Sequence, residues 1–235
     1  MRFQAIPQRH ANLVKTNYMP RRCGGMMTAK RLLGIIVPLF FLASTLWAQV
    51  NELSVTAGRT FVSTQTIQNP PPGDPNPEIH FGNEESVAFN YGRFFMERGI
   101  FGIAAELPVA IYFRMDLNTG ADQIPKDIGA LFATPSVRVN MFDRDSVTPW
   151  VSFGGGYGRF RQAPTLNFGG PNPGPTGTNT GVIQFGTGLD VWFWQRWGAR
   201  LEARDFYSGM PAFNVETNRS RQHNYYVGVG IMHRF

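Results

Sequence analysis

The sequence predicts an all-β protein, an eight-stranded antiparallel up-and-down transmembrane β-barrel that follows a cleaved signal peptide. Three observations lead there. Residues 49–235 contain eight segments in which apolar side chains alternate with polar or small ones, the period of a strand and not of a helix. The connections between these segments alternate long and short. The chain also ends on such a segment: Tyr225, Val227, Val229, Ile231, His233 and Phe235 share one face, and Tyr226, Gly228, Gly230, Met232 and Arg234 share the other. A tilted strand needs about 9–11 residues to cross a bilayer, and this one is long enough.

The leader comes first. The formal charge of +6 and the 22 basic side chains suggest a nucleic-acid partner until the charges are located. Residues 1–48 hold Arg2, Arg9, Lys15, Arg21, Arg22, Lys30 and Arg31 and no acid, so residues 49–235 carry 15 basic against 16 acidic groups. That near-neutral balance argues against nucleic acid as a partner. Lys30-Arg31 followed by the uncharged run Leu32–Trp47 and the small residue Ala48 reads as a signal peptide over 27–48, cleaved between Ala48 and Gln49. The run is short for a membrane anchor and contains Gly34 and Pro38. Residues 1–26 are expected to be an extension from a misassigned start codon, with Met27 as the conventional start. Cys23, the only cysteine, lies in that extension. A mature chain over 49–235 then has no disulfide, no thiolate chemistry and no cysteine zinc site.

The strands are expected near 51–62, 86–96, 100–113, 128–142, 149–160, 182–193, 197–207 and 225–235. The gap 63–85 is long and rich in proline, 97–99 is a tight turn, 114–127 is long and 143–148 short. The gap 161–181 is long and rich in Gly, Pro and Asn, 194–196 is tight and 208–224 is long. All long loops therefore leave one end of the sheet and all tight turns the other, the arrangement of outer-membrane barrels with short periplasmic turns and long external loops. An even strand count lets the sheet close without an unpaired edge in lipid. A soluble up-and-down barrel is the competing reading.

The two differ in which face is apolar. The third segment sets Phe101, Ile103, Leu107, Val109, Ile111 and Phe113 against Gly102, Glu106, Pro108 and Tyr112, and the fourth sets Leu131, Val137 and Val139 against Thr134, Ser136, Arg138 and Asn140. The sixth sets Ile183, Phe185 and Leu189 against Gln184, Gly186 and Asp190, and the seventh sets Trp197 and Leu201 against Arg200, Glu202 and Arg204. A narrow interior cannot hold so many bulky apolar side chains, so they face lipid and the lumen takes the polar and small ones. Glu106, Arg138, Asp190, Arg200, Glu202, Arg204 and Arg234 then converge as a lumen ion-pair network, three acids against four guanidinium groups. Aromatic belts are expected from Trp150, Trp192, Phe193, Trp194, Trp197 and Phe235 at the turn end, and from Phe61, Phe113, Phe160, Tyr207 and Tyr225 at the loop end.

Taken together, the terminal strand, the stretch Ser152-Phe153-Gly154-Gly155-Gly156-Tyr157-Gly158 and the charged lumen resemble the small eight-stranded outer-membrane β-barrels, among them the barrel domain of outer-membrane protein A. The resemblance spans 49–235. It implies insertion into the outer membrane of a Gram-negative-type bacterium, with periplasmic chaperones, the barrel-insertion machinery, outer-membrane lipid and lipopolysaccharide as partners. Tyr225, Val227, Val229, Ile231 and Phe235 would form the insertion signal, although His233 stands where the family often has Tyr. No peptidoglycan-binding domain is expected after the barrel.

Chemistry-bearing motifs are weak. Glu216, Ser220 and His223 could be assembled into a hydrolytic site in the last loop, but the His-x-Ser pair of lipid A deacylases is absent and a solvated loop is the plainer account. Gly154–Gly158 lacks the Lys-Ser/Thr and helix of a phosphate loop. No cofactor, metal or catalytic residue is expected. The sequence thus points to a non-enzymatic barrel with a closed lumen, four long outer loops and a structural or surface-interaction role. A narrow passive channel and a lipid-modifying enzyme are the alternatives.

Overall fold

A computed structural model describes residues 50–70, 77–98, 100–142 and 146–235. The extension 1–26, the signal peptide 27–48 and the Ala48–Gln49 cleavage point lie outside the described residues. Among the described residues eleven strands form in chain order: β1 (Asn51–Val62), β2 (Gln65–Thr66), β3 (Glu78–Phe81), β4 (Glu84–Arg98), β5 (Phe101–Asn118), β6 (Asp127–Ala133), β7 (Ser136–Met141), β8 (Val147–Gln162), β9 (Gly177–Trp192), β10 (Trp197–Gly209) and β11 (Arg221–Arg234). Every pairing is antiparallel, and the ring runs β1-β4-β5-β6/β7-β8-β9-β10-β11 and back to β1. With β6 and β7 forming one broken stave, that is an eight-stranded barrel. It closes in the register Leu53↔His233 through Phe61↔Tyr225. At the seam's turn end the Asn51 N–H donates to Phe235 O at 3.0 Å and the Phe235 N–H to Asn51 O at 2.9 Å.

The faces separate by parity. Leu53, Val55, Phe89, Leu107, Val137, Phe153, Phe185, Leu201, Val229 and Ile231 are exposed, while Ser54, Thr56, Asn90, Arg138, Gln184 and Glu202 are buried. Apolar outside and polar inside is the inverse of a water-soluble barrel and suits a lipid solvent. His233 joins the outward belt at the turn end: its ring lies 4.5 Å from Trp197 and is stacked 6.0 Å from Phe235. His233 thus contributes an aromatic ring to the outward face at that end.

Three features depart from the sequence reading. The staves run past the expected ends, up to 18 residues in β5, and the first loop carries the β2–β3 hairpin, with β3 paired to the end of β5 at His80↔Asn118. The fourth stave also breaks at Thr134-Pro135, where proline has no N–H to give the ladder. The facing strand answers with glycine. A Cβ on Gly154 would sit 2.3 Å from Pro135 O, and one on Gly156 would sit 2.1 Å from Ala133 O. Both obstacles are backbone, so the glycine run of β8 exists to let the broken stave approach. Gly156→Val is therefore expected to destabilise by about 1–3 kcal/mol through overpacking, although valine is the better strand former. A lowered midpoint in the heat-modifiability gel checks this, and a raised one would contradict the close approach.

Candidate functional site in the barrel lumen

The lumen is filled in layers. Nearest the turn end lies a charged layer. Glu52 Oε1 accepts from Arg200 Nη2 at 2.5 Å and lies 2.8 Å from Arg138 Nη1, and Glu52 Oε2 is 3.4 Å from Arg234 Nε. Asp190 takes Arg200 through two bonds, Nε at 2.8 Å and Nη2 at 2.7 Å, the fork geometry that arginine offers to a carboxylate. Glu106 accepts from Arg204 Nη2 at 2.8 Å, and Glu202 accepts from Arg204 Nε at 2.9 Å. The remaining carboxylate capacity is met by neutral donors: Thr56 Oγ1 and Asn90 Nδ2 donate to Glu202, and Trp150 Nε1 donates to Asp190 at 3.0 Å.

The structure brings the seven residues read from the sequence into one layer and adds an eighth, Glu52, which touches three of the four arginines. Four acids then face four guanidinium groups. The signal for Glu52 was present: it shares its β1 face with Ser54, Thr56 and Thr60, and the excess of one cation on the other inward faces required another acid. Apart from Arg234 at the mouth, none of the eight is more than 3% exposed.

Aromatic rings also enter the lumen, contrary to the expectation that it holds only polar and small side chains. Trp150, assigned to the turn-end belt from its sequence position, is fully buried, and the guanidinium carbons of Arg204, Arg200 and Arg138 lie 5.0, 5.2 and 5.8 Å from its ring centroid. Trp192 likewise turns inward under Arg234 at 4.1 Å. Both sit at even positions of their strands and follow the lumen parity of Ser152 and Asp190. A guanidinium over an indole face adds cation–π attraction where water is excluded.

Above the charges comes an apolar layer. Phe132 stacks on Phe206 at 5.0 Å, meets Phe160 edge-on at 5.7 Å and touches Tyr112 at 6.1 Å. Phe160, expected in the loop-end belt, is a core residue for the same parity reason. The Tyr226 hydroxyl, 2.8 Å from Thr56 Oγ1, joins this layer to the charged one. A bulge between Tyr112 and Met115 then shifts the parity of β5, so that Met115 and Leu117 also point inward. They pack with Ile67, Ile79, Ile124 and Phe213 from the loops into one continuous core.

The loops are accordingly tied together. Ile67 bridges to Thr217 and Pro125 to Leu166, while Asn214 Nδ2 donates to Gln123 O at 2.9 Å and to Asn172 Oδ1 at 2.8 Å. His223 is not a loop residue but part of β11. Its Nδ1 lies 2.7 Å from Asp205 Oδ2, and its ring lies between Tyr207 and Tyr225. Glu216 O accepts from Gln68 N–H and Ser220 O from Met210 N–H, and among the described residues no hydrogen bond joins either to His223.

No protein-family model matches the chain, and no curated protein matches it by sequence. Among solved structures it is similar to the outer membrane protein OprG of Pseudomonas aeruginosa, at 11% identity and a TM-score of 0.52, over 80% of this chain and 96% of OprG. It is also similar to the N-terminal β-barrel domain of OprF from the same organism, at 11% identity and a TM-score of 0.44 over 80% of this chain and 97% of that domain. A third is Ail, the attachment invasion locus protein of Yersinia pestis, at 12% identity and a TM-score of 0.42 over 79% of this chain and 99% of Ail. The OprG match establishes the fold alone, a closed antiparallel β-barrel of eight staves.

Proposed function

We propose that the protein is an integral barrel of the outer membrane of a Gram-negative-type bacterium, and that its role is structural or one of surface interaction, neither conducting nor catalytic. The observation that carries the reading is the filled lumen. Among the described residues, charged layer, aromatic layer and loop core follow one another along the lumen, and Arg138, Arg200, Trp150, Phe132, Phe160 and Phe206 are all buried, which supports a closed interior. The lipid-facing band supplies the membrane setting. The tied loops supply a defined external surface, where recognition residues are commonly carried. In this reading the precursor passes to periplasmic chaperones, and the insertion machinery reads Tyr225, Val227, Val229, Ile231 and Phe235 on β11. Outer-membrane lipid and lipopolysaccharide then surround the finished barrel.

The test is twofold. The protein from outer-membrane fractions is expected to migrate as a heat-modifiable species and to give no conductance steps in planar bilayers. Reproducible steps would replace the reading with the narrow channel. A changed lipid A or phospholipid profile on deletion or overexpression would replace it with a lipid-modifying enzyme.

A further inference from the structure

At the loop end of the lipid-facing surface, the apolar run of β8 stops abruptly. Val151, Phe153 and Tyr157 are exposed to lipid, and the next two outward residues are Arg159 and Arg161. Across the β6–β8 ladder they stand beside Leu131 and Gly129. On β5 the last outward apolar residue is Phe113, 69% exposed. Between these strands lies a cleft of about 520 Å³ lined by Phe113, Gly129, Leu131, Arg159, Arg161 and Thr176. Gly129 lets the β5 backbone come close beside the cleft, since a Cβ there would lie 2.6 Å from Phe113 O. The cleft continues toward Arg114, whose Nε is 3.0 Å from Asp127 Oδ2.

The two arginines differ from those of the lumen. All four lumen guanidinium groups have carboxylate partners, whereas neither the Arg159 nor the Arg161 side chain makes an ion pair, hydrogen bond or ring contact among the described residues. Asp127, which lines the adjoining part of the cleft with Arg161, is taken by Arg114. Two free guanidinium groups at the edge of an apolar band face the depth at which lipid headgroups carry phosphate. There a guanidinium can form two parallel bonds to one phosphate group, and basic pockets of this kind bind lipid headgroups.

We infer that the β5–β6–β8 cleft is a binding site for the phosphorylated headgroup of an outer-leaflet glycolipid, with Arg159 and Arg161 gripping the phosphate. The glycolipid is favoured over a free phosphate because the cleft is far larger than one phosphate group. It has a hydroxyl at Thr176 for a sugar and an aromatic wall at Phe113 for an acyl chain. This inference rests on the outer-membrane reading above.

Native mass spectrometry of the detergent-solubilised full-length protein tests it, with diphosphorylated lipid A, the same lipid stripped of phosphate, phosphatidylglycerol and inorganic phosphate as separate probes. Wild type and R59Q, which alters a lipid-facing arginine of β1 on the opposite wall, are expected to retain lipid A. R159Q/R161Q is expected to lose about tenfold or more of that retention, since each charged contact contributes roughly a factor of ten. R159K/R161K, which keeps the charge without the fork, should fall between, and stands in if the glutamine variant does not fold. Equal retention by R159Q/R161Q, equal binding of the phosphate-free lipid or of phosphatidylglycerol, or binding of inorganic phosphate alone would each overturn the site. Heat-modifiable migration in the outer-membrane fraction is scored separately, so a failed site is distinguishable from a failed membrane assignment.

Discussion

Glu52→Ala is expected to be the most damaging single substitution in the lumen, lowering stability by about 3–5 kcal/mol, the range for breaking a buried ion pair by removing one partner. The carboxylate stands against Arg138, Arg200 and Arg234 together. Its loss leaves four cations facing three acids in a space closed to water. Arg200 keeps its two bonds to Asp190, and Arg234 is near the mouth and can reach solvent. Arg138 is worse placed: its next carboxylate, Glu106, is 3.6 Å away and is already bonded to Arg204. Glu106→Ala should therefore cost several kcal/mol as well, with Arg204 keeping only Glu202. Urea unfolding in micelles, followed by the shift between folded and unfolded bands, measures both. A loss below about 1 kcal/mol for Glu52→Ala would mean that the arginines reach water or each other's partners, as in an exposed pair.

A second substitution separates charge balance from simple loss of packing. Glu52→Ala combined with Arg138→Met restores three acids to three bases, and the methionine can occupy the slot between Phe94 and Trp150 where the guanidinium now lies. The double variant should be more stable than Glu52→Ala alone, a coupling of the kind expected between residues of one network. If the two losses simply add, the damage comes from packing around Glu52 and not from an uncompensated cation.

The barrel was legible in the sequence because its two strongest constraints are periodic. Parity assigns each strand residue to lipid or lumen, and connection length assigns each turn to an end. Both survive without knowing a single contact, which is why closure of the last strand onto the first could be anticipated while its register, Leu53↔His233, could not. What parity could not show was depth. Trp150 and Phe160 occupy inward positions, yet as aromatics near strand ends they looked like belt residues. The inference that a narrow lumen excludes large rings failed because those rings stack on one another and on guanidinium groups. The Thr134-Pro135 break and the β5 bulge each disturb the period locally. The loop core drew least on any sequence signal, because Ile67, Ile79, Ile124 and Phe213 are isolated apolar residues in stretches dominated by turn formers. Only the fold brings them together.

Phe132→Ala should show that the aromatic layer is a plug separate from the charged one. Phe132 is the hub of that layer, in contact with Tyr112, Phe160 and Phe206, and is buried. Truncating a buried phenylalanine costs about 3–5 kcal/mol through lost transfer energy and the cavity left behind. The loop core rests directly on this layer, so the loops should loosen with it, seen as faster proteolysis at the outer rim while the barrel still gives a folded band. Conductance should nevertheless stay absent, because Glu52, Glu106, Asp190 and Glu202 with their arginines still close the lumen below. Steps would be expected only when Phe132→Ala is combined with a change in the charged layer, such as Trp150→Ala, which removes the ring that three guanidinium groups face. Conductance from Phe132→Ala alone would place the whole barrier in the aromatic layer and leave the ion pairs as its lining. Silence from the double variant would mean that the ion pairs close the lumen by themselves, with the rings contributing stability and no barrier.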